Sequence, residues 1–345
     1  MSFEYERVLT SGSGLRLHLN ENTAGCSPRV VAALGRLTPH DLATYPDYEA
    51  ATRACADFFH VDTHALVLTN GLDEGILAIA VACLRNGPAD ALFEAIVVVP
   101  AFDMYAACSD AAGGRIVEVP LDSDFLFPAD RILGALTPRT RIVWLTNPNN
   151  PTGQVIPPEA IARIAAAAPG AVVMVDEAYA DFSGTTLIGG RLLADHPNIV
   201  VGRTFAKAHG LAGLRIGALV GAPQTLAPFR RVIPPYSINA CVAAVLPDAL
   251  EDVAFFTWYL DQVTQSKELV YDALVRRGIP YWMSAGNFVL ARFGGDTGAL
   301  VAALASRGVH VRDRSGDTGC EGCLRITAGV VEHTRAFVGA LGEVL

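Results

Sequence analysis

What most limits the fold of this chain is the order of its apolar segments. Short apolar runs recur along the first two-thirds of the sequence, at 65–69, 95–99, 141–146, 171–175, 198–204 and 214–220. Alanine-rich stretches with helical periodicity, such as 73–84 and 159–167, lie between most of them. Runs that are apolar throughout read as strands covered on both faces. Strands alternating with helices predict a largely parallel sheet between two helical layers. After Pro247 the pattern changes to a long helical stretch (251–277), a strand (287–293), a helix (297–307), a strand pair (309–312 and 324–327) and a last helix. The reading is therefore α/β with a large domain over 40–247. A smaller α+β domain would be discontinuous, built from 1–39 and 248–345.

Composition removes several classes of function. The formal net charge is −9, so a nucleic-acid partner, which needs a basic face, is not expected. No stretch has the length of a transmembrane helix, and the first residues, MSFEYERVLTSGSG, lack the layout of a signal peptide. Seven scattered cysteines suit reduced thiols and a cytoplasmic location rather than a disulfide framework. Cys320 and Cys323 form a C-x-x-C pair, but no second pair or histidine cluster completes a zinc site. They read as turn residues, and no metal is expected.

Of 26 basic residues only Lys207 and Lys267 are lysines. Lys267 lies mid-helix beside Glu268 and reads as part of a solvated face. Lys207 follows the strand IVVGRT and enters a glycine-rich turn. Ligands of open α/β sheets bind at the carboxyl ends of strands. Alone, Lys207 would pass for a surface loop residue.

Three segments change that. VVMVDEAY puts Asp176 at the end of a buried strand, with Tyr179 three residues on. Such a carboxylate suits the protonated ring nitrogen of pyridoxal 5′-phosphate (PLP). No glycine-rich nucleotide loop is present to favour phosphoryl transfer. LTNPNNPTG follows another apolar strand; its two X-Pro steps and its glycine specify a rigid turn, with Asn150–Pro151 a candidate cis bond. TNGLDE, residues 69–74, opens a helix whose free N–H groups suit a phosphate, which Thr204 and Arg215 would help to enclose.

Taken with LHLNEN, YPD, PAFDMY, RTFAKAHGLAGLRIG, PPYSINA, GNFVL and CLRITAG, these motifs resemble the fold-type-I PLP-dependent aminotransferases of the histidinol-phosphate aminotransferase group, over nearly the whole chain. The resemblance implies a large domain with a mainly parallel seven-stranded sheet plus a smaller α+β domain. It further implies a Schiff base on Lys207, Asp176 on the pyridine nitrogen, Asn150 and Tyr179 on the ring oxygen, and Phe102 stacked on the ring. The phosphate would lie at Leu72, Asp73, Thr204 and Arg215. Tyr45 would come from the neighbouring subunit of a homodimer whose active sites lie at the interface. Arg325 would take the substrate α-carboxylate, Arg312 a distal phosphate, and Asn22 would lie against the substrate. The implied reaction is ping-pong transamination between an amino substrate and an oxo acid.

Four positions depart from the pattern. Ala206 replaces the usual serine before the lysine, Leu72 replaces a small residue, the arm reads NENTAGCSP, and the serine before Asn287 is shifted to Ser284. These changes favour a specialised biosynthetic relative. They also keep open another outcome on the same cofactor, decarboxylation or γ-elimination with substitution through a vinylglycine-type intermediate.

Overall fold

The computed structural model describes residues 14–88 and 91–345. The first thirteen residues of the expected small domain lie outside the described residues. Twelve strands occur among the described residues: β1 (Leu15–Leu17), β2 (Leu66–Thr69), β3 (Glu94–Val99), β4 (Arg115–Pro120), β5 (Thr140–Thr146), β6 (Val172–Asp176), β7 (Ile199–Thr204), β8 (Gly217–Gly221), β9 (Tyr281–Trp282), β10 (Phe288–Arg292), β11 (Val309–Asp313) and β12 (Cys323–Thr327).

Seven of them form one sheet in the order β2-β8-β7-β6-β5-β3-β4. Only β8 runs against its neighbours. Every residue of β2, β7 and β8 is buried. Successive side chains of a strand point to opposite faces, and here both faces are cores. Val173, Val175, Ile199 and Val201 enter one apolar cluster, whereas Met174 and Val200 enter the other. That is why these strands are apolar without alternation.

Two expectations need adjusting. β4 was missed because it is a half-exposed edge strand carrying Arg115 and Glu118. The run at 214–220 begins late as a strand, since Leu214 closes a 3-10 turn and Arg215 has a left-handed φ of 56°.

The register brings the strand ends together. Thr146 lies beside Asp176 and Asp176 beside Gly202; Thr204 and Thr69 both pair with Gly217. The second sheet has the order β1-β11-β12-β10-β9. One of its faces packs Leu17, Val311 and Ile326 against Val270 and Leu274 of the helix Val253–Val275 and Phe337 of the helix Val331–Val344.

The break expected at 247 falls inside the helix Ala240–Glu251. Val245, Leu246 and Leu250 of that helix share a core with the parallel sheet, and so do Val30 and Ala33 of the helix Pro28–Leu34. The chain leaves this core at Asp252, whose side chain caps the helix Val253–Val275. Residues 28–34, expected in the small domain, therefore pack with the large one. Among the described residues no helix is long and apolar enough to cross a membrane.

Candidate active site

The carboxyl ends of β5, β6 and β7 meet the polar face of the second sheet around a cavity of about 400 Å³. Asp176 closes its floor. The Thr146 hydroxyl donates to the Tyr105 hydroxyl oxygen at 3.1 Å, and Tyr105 donates to Asp176 Oδ2 at 2.5 Å. The Ala178 N–H donates to Oδ1 at 2.8 Å. Burial pushes the Asp176 carboxyl up to about 6, against the opposing pull of the Tyr105 hydrogen bond. Tyr105 is itself held flat on Trp144, with ring centroids 5.3 Å apart, and edge-on to Phe102, which also lines the cavity.

Lys207 emerges just beyond β7, and its Nζ donates to the Leu19 carbonyl at 3.0 Å. Arg325 projects from β12 opposite. Its Nη2 donates to the His18 carbonyl at 2.6 Å and its Nη1 to Asn150 Oδ1 at 2.5 Å. Burial and neighbouring guanidinium groups lower the Arg325 pKa to about 10, so it stays cationic. Arg312 pairs with Arg325 in the strand register and lines the same cavity. Among the described residues its guanidinium makes no hydrogen bond or ion pair.

The NPNNPTG turn divides its three asparagines between two tasks. Asn147 Oδ1 accepts from the Ile156 N–H and Asn149 donates to Pro100 O and Thr152 Oγ1, so both fasten the turn itself. Asn150 alone faces the cavity. Asn150–Pro151 is cis, as expected, and so are Val99–Pro100 and Asn147–Pro148.

At the other end, the helix Gly71–Leu84 begins one residue after Asn70, at the end of β2. Arg215 Nη2 donates to Asp73 Oδ2 at 2.6 Å, and a Cβ on Gly71 would lie 2.7 Å from that same nitrogen. Thr204 Oγ1 accepts from the Ala206 N–H. Leu72 is accommodated because Gly202 faces it; a Cβ there would sit 2.8 Å from Leu72 Cδ1. A helix start with an arginine at one end, a buried acid on the floor and a lysine amine between them match the three parts of PLP: phosphate, ring nitrogen and aldehyde. The residues fit that group.

Eleven of the thirteen expected site residues line this cavity: Lys207, Asp176, Tyr179, Asn150, Phe102, Leu72, Asp73, Thr204, Arg215, Arg325 and Arg312. Asn22 does not. Its Nδ2 donates to Ala208 O and its Oδ1 accepts from the Ala24 N–H, so it ties the arm to the lysine loop from outside. Tyr45 also lies elsewhere, 79% exposed and stacked on Tyr236 at 4.4 Å. Lys267 is no solvated residue: it is half-buried, and its Nζ donates to Ser284 O at 2.8 Å. Sequence reasoning overlooked Tyr105, which stood in view as the last residue of PAFDMY, and Asn20, two positions before the asparagine chosen. No sequence signal separated Asn20 from Asn22, since both are buried and lie on the same side of the arm's alternation.

Comparison with known proteins accords with this geometry. The pattern of the family described as aminotransferase class I and II matches residues 13–341. A histidinol-phosphate aminotransferase of Symbiobacterium thermophilum is 33% identical over 99% of this chain and 93% of its own length. One from Erythrobacter litoralis is 37% identical over 95% and 90%. The solved histidinol-phosphate aminotransferase of Sinorhizobium meliloti in complex with pyridoxal-5′-phosphate superposes with a TM-score of 0.85, covering 96% of this chain and 90% of that one. At 24% identity that likeness speaks for the fold. Nothing in these relatives supports decarboxylation or γ-elimination as the outcome.

Proposed function

The chain belongs to the class I and II aminotransferases, and on that premise we propose which residues carry the amino transfer and which donor they accept. It is a PLP-dependent enzyme. When bound, the cofactor supplies an aldehyde that condenses with amines and a ring that takes up the electron pair released at the substrate Cα.

Lys207 would hold the cofactor covalently as a Schiff base. Its Nζ, at the mouth of the same cavity, would be the group that takes the proton from the substrate Cα as general base. Asp176 would face the ring nitrogen and hold a proton there; a cationic partner favours its ionised form, which burial alone disfavours. Tyr105 holds that carboxylate in place. Asn150 and Tyr179 would hold the ring oxygen, Phe102 would stack on the ring, and Arg215, Thr204 and the Leu72–Asp73 backbone would hold the phosphate. Arg325 would take the α-carboxylate of the oxo acid and, in its turn, the anionic group of the amino donor.

The donor we propose is an amine of the histidinol-phosphate type, with an oxo acid as acceptor. One observation carries this choice. Among the described residues the Arg312 guanidinium makes no hydrogen bond or ion pair, and it stands side by side with Arg325 in the same cavity. Two guanidinium groups suit an anion at the far end of an amino substrate, and the relatives bear that substrate's name. The functional unit is a homodimer in this reading: the exposed Tyr45–Tyr236 stack lies apart from its own chain's cavity, which suits delivery to a second copy. All seven cysteines are free, in keeping with the cytoplasm. The test is incubation with histidinol phosphate and 2-oxoglutarate. Glutamate forming at ordinary aminotransferase rates supports the proposal. Turnover of aromatic amino acids but not of the phosphate ester overturns the choice of donor.

A further inference from the structure

Asn20 is fully buried and has a left-handed φ of 54°, a conformation that asparagine tolerates better than most residues. All its polar groups are engaged. Its backbone N–H donates to Thr327 Oγ1 at 3.1 Å, and the Thr327 hydroxyl donates to Asn20 Oδ1 at 3.0 Å. Asn20 Nδ2 donates to the Tyr179 hydroxyl oxygen at 3.0 Å, and Asn287 Nδ2 donates to Asn20 O at 3.2 Å.

These bonds have a direction. If the amide were turned over, Thr327 Oγ1 would receive two donors and its own proton would lose the acceptor it has in Asn20 Oδ1. Leaving a buried hydroxyl proton unpaired is costly, so the threonine selects one orientation of the amide. With Nδ2 facing it, the Tyr179 oxygen accepts and its proton remains uncommitted. No acceptor for that proton exists among the described residues. The tyrosine ring is fixed edge-on to Phe288 with centroids 5.0 Å apart, and it lines the cavity together with Lys207 and Asp176.

We propose that Asn20, oriented by Thr327, is a positioning residue that makes Tyr179 a hydrogen-bond donor into the cavity. Resting on the reading of Tyr179 given above, this means that Tyr179 offers its proton to the anionic ring oxygen of the cofactor. Neither Asn20 nor Thr327 touches the cofactor. They act through the direction of one hydroxyl.

The holoenzyme tests this by the pH at which the absorbance of the bound cofactor changes. A donor to an anionic oxygen lowers that pH. Thr327→Val keeps the volume but removes the orienting proton, and Asn20→Asp replaces the donor by an acceptor. Each is expected to raise the midpoint by about one unit and to lower kcat about tenfold, with KM for the amino donor within about twofold. Tyr179→Phe should produce the same shift, and adding either substitution to Tyr179→Phe should move the midpoint no further. Thermal melting of each variant separates these effects from loss of the fold, and Thr327→Val remains informative should the buried acid prevent folding. Full-sized shifts in the Tyr179→Phe background, or no shift in either single variant, overturn the proposal. An unmoved midpoint in Tyr179→Phe itself overturns instead the reading of Tyr179 on which it rests.

Discussion

Lys207 and Arg325 approach the cavity from different sheets yet donate to consecutive carbonyls of one segment: Lys207 Nζ to Leu19 O at 3.0 Å, and Arg325 Nη2 to His18 O at 2.6 Å. The arm therefore holds the ends of both side chains. Asn20 continues the pattern toward Tyr179. Substrate and cofactor binding must compete with these internal acceptors, which makes the arm the sensitive point of the site.

Arg325→Lys tests the cation proposed to take the substrate anion. A lysine offers no planar fork, so Asn150 Oδ1 and the His18 carbonyl cannot both be satisfied. Loss of a charged hydrogen bond costs about 2 kcal/mol. Steady-state kinetics should show kcat/KM for the amino donor lower by roughly 30-fold or more, mostly through KM.

Asp176 gives the cofactor-stripped protein a distinct pH signature. Its carboxyl is raised in the fold to about 6, above the ordinary carboxylate value. Its stabilising share is therefore complete below about pH 4 and disappears as pH rises through about 6, an effect of order 3 kcal/mol. Asp176→Asn should remove that pH dependence, so the melting temperature of the wild type relative to the variant should fall from pH 4 to pH 7. Tyr105→Phe, by deleting a hydrogen bond that favours the ionised form, should move the window to higher pH.

His209 works in the opposite sense. It is buried among Phe58, Phe205 and Phe256, and burial lowers its pKa to about 4. The unfolded chain takes up a proton near pH 6.5 that the fold refuses, so stability falls as pH drops from there to about 4, again by about 3 kcal/mol. Chemical denaturation at several pH values should give a flatter acid limb for His209→Leu.

Gly153→Ala should destabilise by about 2 kcal/mol or more. Gly153 has a φ of +75°, and a Cβ there would lie 2.2 Å from Ser284 Oγ and 2.7 Å from Ser284 Cα. Because a backbone atom is among the obstacles, adding Ser284→Ala should not restore the melting temperature.

Ala206→Ser restores a hydroxyl beside the lysine, within the cavity lining. A hydrogen bond to a charged phosphate is worth about 2 kcal/mol. Cofactor dissociation on dialysis should slow by about tenfold or more.

The large sheet was legible because its strands are covered on both faces and so carry unbroken apolar runs. β4 was hidden because an edge strand has no such requirement. The site residues at strand ends, Asp176 and Lys207, were marked by polar groups emerging from apolar runs. Lys267 was misread because helical position alone does not show that a loop from β9 to β10 folds over the side chain. The choice of Asn22 over Asn20 has a similar origin: both asparagines fit a turn, and only the hydrogen bonds of the arm to the Thr327 side chain of β12 decide which one faces Tyr179. The change of pattern after Pro247 was placed a few residues early, because the helix that contains this proline continues to Glu251.

The most direct test reduces the holoenzyme with borohydride and maps the labelled peptide by mass. With only two lysines in the chain the result is unambiguous. The pyridoxyl group on Lys207 is the expected outcome; a label on Lys267, or no label at all, would contradict the assignment of this site.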